Sequence, residues 1–131
     1  MNVDRHDEES RINAITERVI GCAFSVANTL GAGFLEKVYE NALTHELRKV
    51  GLVVEQQLQI SVVYDSIEVG YYVADLLVEK AVLVEIKVVK AFDDVHLAQC
   101  MNYLRATNLK LCLLINFATP RIGIKRVANN L

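Results

Sequence analysis

The thirteen residues from Asp75 to Lys87, DLLVEKAVLVEIK, decide how this chain folds. Ile67 to Val78 and Ala81 to Val89 read as two strands of a hairpin that turns about Lys80. Val82, Val84, Ile86 and Val88 fall on one face of the second strand and Leu83 on the other, so that strand is apolar on both sides and belongs in the middle of a sheet. Glu85 and Lys87 interrupt it two residues apart, and therefore point to one face. Asp75 and Glu85 are equally distant from Lys80, which sets them opposite each other across the hairpin. Charges on a central strand are costly unless they are paired, bound to a metal or open to a cleft.

Outward from this hairpin, Leu58, Ile60, Val62 and Tyr64 alternate with polar neighbours, and Asp65-Ser66 forms a turn into the next strand. A helix is expected from about Leu35 to Val50, with Gly51 as its left-handed cap. Before it, an apolar stripe from Ile12 to Leu30 predicts a first helix, led in by Asp7, Glu8, Glu9 and Ser10 and ended by Gly31-Ala32-Gly33. Beyond the hairpin, Asp93 caps a third helix carrying Leu97, Cys100, Met101 and Leu104. Leu109 to Phe117 is a buried strand, and Pro120 separates it from a last strand, Ile122 to Val127. The expected fold is α+β, a mixed sheet of about five strands flanked by three helices, in a single domain over residues 1–131 with a polar tail at 1–10.

With 131 residues, 53% hydrophobic and 23% charged, the composition excludes disordered and collagen-like chains. Fourteen Lys and Arg against sixteen Asp and Glu leave a net charge of −2, so contact with phosphates must be local. Lys87, Lys90, Arg105, Lys110, Arg121, Lys125 and Arg126 are the candidates for such a track. Cys22, Cys100 and Cys112 lack close ligand spacing and read as buried thiols of a cytoplasmic protein. Met1 to Ser10 is polar and acidic, unlike a secretion signal, and the uncharged run Val19 to Leu35 is short for a membrane span and broken by glycines, so no membrane contact is expected.

Two close carboxylates suit a hard cation such as Mg²⁺, which needs only one or two protein carboxylates, and a neighbouring lysine can orient a water and offset charge developing at phosphorus. That chemistry is phosphodiester hydrolysis. The alternative on spacing alone is a buried salt bridge among Asp75, Glu85 and Lys87. Glu36 shares a helix face with Tyr39 and reads either as part of the acidic cluster or as a first-turn dipole partner. His96, Gln99 and Tyr103 form a polar stripe that is either a substrate side or a solvent face.

Asp75 followed by Glu85-Ile86-Lys87 resembles the D…ExK core of the PD-(D/E)xK nuclease superfamily, and the element order is similar to its restriction-endonuclease-like core. Gly33-Phe34-Leu35-Glu36-Lys37-Val38-Tyr39 matches the motif that names the bacterial GxxExxY branch, and Gln99 with Tyr103 resembles the QxxxY motif of RecB-type nucleases. Ala74 stands where the superfamily name has proline. The resemblance implies a nuclease acting on DNA, with RNA as the alternative, that uses Mg²⁺ or, in its place, Mn²⁺. It makes Asp75, Glu85 and the backbone carbonyl of Ile86 metal ligands, with Glu36 completing the cluster. Lys87 would be the catalytic lysine, and Gln99 and Tyr103 would bind substrate. A second copy of so small a domain would help to hold a duplex. The contrasting reading is a non-catalytic interaction module that keeps the nuclease fold.

Overall fold

The computed structural model describes residues 2–118 and 121–131, so Pro120 lies outside the described residues. The elements are α1 (Asn2–Leu30), α2 (Glu36–Lys49), β1 (Val54–Tyr64), β2 (Ile67–Val78), β3 (Val82–Lys87), α3 (Asp94–Thr107), β4 (Leu111–Asn116) and β5 (Gly123–Ala128). This is the expected order. The stretch expected as a polar tail is instead helical from Asn2, with the side chains from Arg5 to Arg11 exposed. Acidic residues there favour a helix N-terminus, so the helix takes in the segment expected to precede it.

The sheet runs β1-β2-β3-β4-β5. Its pairs are antiparallel except β3 with β4, which are parallel and joined through α3, the crossover a parallel pair requires. Helices α1 and α2 cover one face, where Val19, Leu43, Leu47, Leu76, Val84 and Leu113 pack together. Helix α3 covers the other, where Cys100, Tyr103 and Leu104 meet Leu83, Cys112 and Leu114. β3 and β4 thus bury both faces, which is why every residue of β4 is buried. Each such fully buried aliphatic side chain is worth about 1.5–3 kcal/mol relative to exposure. Cys22, Cys100 and Cys112 are buried and free. Among the described residues no helix is long and apolar enough to cross a membrane.

Local signals set the ends of the elements. The amide of Leu52 bonds the carbonyl of Leu47 and that of Gly51 the carbonyl of Arg48, both at 3.0 Å. This closes α2 with a left-handed turn at Gly51, φ 88°. The Asp93 carboxylate accepts from the amides of Val95 and His96, and the Asp93 amide donates to His96 Nδ1, a capping box that starts α3. His96 is therefore part of a helix cap. In the central hairpin Val78 faces Val82 and Leu76 faces Val84, so the turn is centred on Lys80 as expected.

Candidate active site

The β2–β3 ladder ends at Leu76 and Val84, one step short of Asp75 and Glu85. There the side chains take over from the backbone. The Asp75 amide donates to Glu85 Oε1, and the Ile86 amide donates to Asp75 Oδ2, each at 2.8 Å. The two strands are held apart and in register by each acid gripping the other's strand. Among the described residues Asp75 Oδ1 and Glu85 Oε2 take no protein hydrogen bond and no buried side-chain nitrogen or oxygen lacks a partner, so these two oxygens are not fully sealed from solvent.

β2 also rolls over at this point. Residues two apart on a strand share a face, yet Ala74 packs on the α3 side and Leu76 on the α1–α2 side. The cause lies on β1. Gln56 faces Leu76 and Leu58 faces Ala74, and between them Gln57 has a left-handed backbone, φ 55°. Asp75 therefore sits between a distorted residue on one neighbour and the end of the ladder on the other.

The electrostatics follow from this placement. Glu85 is only 3% exposed. Burial, then the charge of Asp75, pushes its carboxyl up to about 8, against the opposing pull of the Asp75 amide and of Lys87. Asp75 is also raised, first by burial and then by Glu40 and Glu36, while the Ile86 amide and Lys87 act the other way. Lys87 is close enough to act on both acids, but it forms no ion pair with either among the described residues. The buried salt bridge left open by the sequence is therefore not formed among the described residues. Nor do three His, Cys, Asp or Glu side chains converge into a ready cation cage among the described residues.

Glu36 opens α2, where its Oε2 accepts from the Val88 amide at 3.2 Å, just beyond Lys87. The residues around it explain its position. Gly33 turns the chain with φ 107°. Tyr39 stacks on Phe117, with ring centroids 4.6 Å apart, and its hydroxyl accepts from the Phe34 amide and donates to the Gly31 carbonyl. Gly33, Glu36 and Tyr39 are thus a bend, an acid and an anchor at the entry to α2. Tyr103 is buried, and its hydroxyl donates to the Val73 carbonyl at 3.4 Å, two residues before Asp75. Burial, then the charges of Glu85 and Asp75, raises that hydroxyl's pKa. Gln99 is half-buried on the same helix, so the stripe is not an ordinary solvent face.

Three contributors escaped the sequence reading. Glu40, 4% exposed, accepts from Lys37, Gln56 and Gln57 and acts on Asp75 more strongly than Glu36 does. Its signal was its position one turn after Glu36 and beside Tyr39. Gln57 carries the left-handed turn described above, and the run Glu55-Gln56-Gln57 that breaks the alternation of β1 marked it. Asn116 binds both the amide and the carbonyl of Val89, which removes that residue from the ladder and ends β3 at Lys87 instead of the expected Val89. A polar residue closing the run Leu111–Ile115 was its signal. Among the candidates for a basic track, Lys110 lines a cleft with Lys80, Arg126 bonds Asn13 of α1, and Arg105 lies on α3.

The family model described as PD-(D/E)XK nuclease superfamily matches residues 13–127. No curated protein matches the chain significantly. Among solved structures, the alkaline exonuclease LHK-Exo from Laribacter hongkongensis is similar over 72% of this chain and 56% of its own, with a TM-score of 0.54 and 15% identity. The protein solved as SSO0001 is similar over 72% of this chain and 50% of its own, with a TM-score of 0.53 and 17% identity. The chain spans about half the length of these structures, which share its fold.

Proposed function

The chain belongs to the PD-(D/E)XK nuclease superfamily, and from that premise we propose that it hydrolyses phosphodiester bonds, in DNA before RNA, with a divalent cation held at Asp75 and Glu85. The observation that carries this reading is the exchange of hydrogen bonds between these two acids where the ladder stops. It leaves one oxygen of each carboxylate open, in a place where burial disfavours both charges and nearby acids add to it, Asp75 at Glu85 and Glu40 and Glu36 at Asp75. Such a pair is short of positive charge, which a hard cation with oxygen ligands supplies. Mg²⁺, or Mn²⁺ in its place, fits because it keeps several waters and needs few protein carboxylates.

In this reading Asp75, Glu85 and the Ile86 carbonyl hold the ion and Glu36 adds negative charge from α2. When bound, the ion acidifies water and neutralises charge on the phosphate. Lys87, free of ion pairs among the described residues, presents its ammonium to the attacking water and to the charge growing at phosphorus. Gln99 and Tyr103 line the substrate side. The entry to α2 formed by Gly33, Glu36 and Tyr39 supports assignment to the GxxExxY branch, since each motif residue has its own mechanical part in placing the acid. Three buried free thiols favour a reducing, cytoplasmic setting.

The test is incubation of the purified protein with mixed single- and double-stranded DNA and RNA, with Mg²⁺, with Mn²⁺ and with a chelator. Cleavage that requires the cation is expected. Absence of cleavage with either metal would favour the interaction module.

A further inference from the structure

β1 and β2 extend beyond the rest of the sheet as an arm. The β2–β3 ladder covers only Leu76–Val78, whereas Ile67–Ala74 pair with β1 alone. On this arm Tyr72 is 46% exposed although it packs, ring centroids 5.7 Å apart, against Tyr103 of α3. Between arm and helix lie two adjoining hollows of about 440 and 310 Å³ that share Tyr72 and Asn102. Arg105 lines the first and Gln99 the second, and no carboxylate lines either. In a chain of net charge −2 that is a marked local contrast. Arg105 forms no ion pair among the described residues. Tyr103 is the wall between this groove and the acids, and Tyr72 lies three residues, about 10 Å along the strand, from Asp75.

We infer that this groove binds single-stranded nucleic acid, with Tyr72 as the platform on which an unstacked base rests and Arg105 as the partner of its phosphate. Bases inside a duplex have both faces covered by their neighbours, so a ring exposed in a groove finds a base face only on an unpaired strand. The amides of Gln99 and Asn102 offer both donors and acceptors to base edges, which suits any base. Running the strand onward to Asp75 and Glu85 rests on the nuclease reading, but base binding itself requires no metal.

The test uses labelled oligothymidylate and a blunt duplex of equal length, bound at equilibrium in the presence of a chelator, with cleavage in Mg²⁺ measured separately. Wild type should prefer the single strand. Tyr72→Ala should weaken its binding roughly ten- to a hundredfold, the range for loss of one stacked base, while Tyr72→Phe stays near wild type. Arg105→Ala should lower the slope of binding against salt by about one phosphate contact. The chain has no tryptophan, so Tyr72→Trp places the protein's one indole in the groove, and its emission, excited at the red edge where tyrosine does not absorb, should change when oligothymidylate is added. This pattern without any cleavage supports the groove and removes the nuclease reading. Tight duplex binding that Tyr72→Ala leaves unchanged overturns the groove, and cleavage of that duplex would leave the nuclease reading standing.

Discussion

The two halves of β3 are held in opposite ways. Val82, Leu83 and Val84 pair with backbone on both sides and are fully buried between two helical layers. Glu85, Ile86 and Lys87 keep the backbone ladder to β4, but on the β2 side the carboxylates of Asp75 and Glu85 make the links, to the Ile86 and Asp75 amides. The first half makes the sheet rigid. The second uses that rigidity to hold two acids in a place where burial disfavours their charged forms. A carboxylate that takes one amide still has an oxygen to give.

The largest expected effect is on chemistry in the charged half. Lys87→Ala should slow single-turnover cleavage on the order of 10²–10³-fold while leaving cation binding intact, and Lys87→Arg should not restore full rate, since a planar fork does not replace a compact ammonium. Cleavage by Lys87→Ala at the wild-type rate would make the lysine a mere charge partner. In the apolar half, Leu83→Ala should cost about 3 kcal/mol in denaturant unfolding by opening a cavity, with the cation response of the folded protein unchanged. Coupling between the two would show that the halves are not independent.

A third effect separates the halves by pH. Glu85 titrates near 8 in the folded protein against an ordinary 4.5. Between these values the folded state binds more protons than the unfolded one, so this contribution is complete below about pH 4.5 and is lost as pH rises through 8. The loss is at most about 1.4 kcal/mol per pH unit. Thermal melts of the metal-free protein should show it, and Glu85→Gln should abolish it. The smallest effect concerns the turn that leads into Glu36 and α2. Tyr39→Phe removes the hydroxyl linking Gly31 to Phe34 and should cost about 1 kcal/mol in the same melts.

The register of Asp75 and Glu85 was legible in the sequence because a hairpin is arithmetic. Once the turn is centred on Lys80, equal distances along the chain become opposition in space. The order of elements and the Gly51 cap were legible because each depends on neighbours in sequence. Glu40, Gln57 and Asn116 each left a mark in the sequence, but their roles were not legible, because each acts on a segment that only the tertiary fold brings near: Glu40 of α2 on Gln57 of β1, and Asn116 of β4 on Val89 beyond β3. The arm carrying Tyr72 was hidden for the same reason, since the alternation of β2 does not reveal where β3 stops accompanying it.

The central claim, that the acids at the end of the ladder form a divalent-cation site, is tested most directly by calorimetric titration of Mg²⁺ into wild type and Glu85→Gln at pH 7 and 8. Wild type should bind at millimolar concentrations or below and release a fraction of a proton that shrinks toward pH 8, while Glu85→Gln, which keeps an oxygen for the Asp75 amide, stays folded and does not bind. Equal binding by both proteins, or none by wild type at millimolar Mg²⁺, would contradict it.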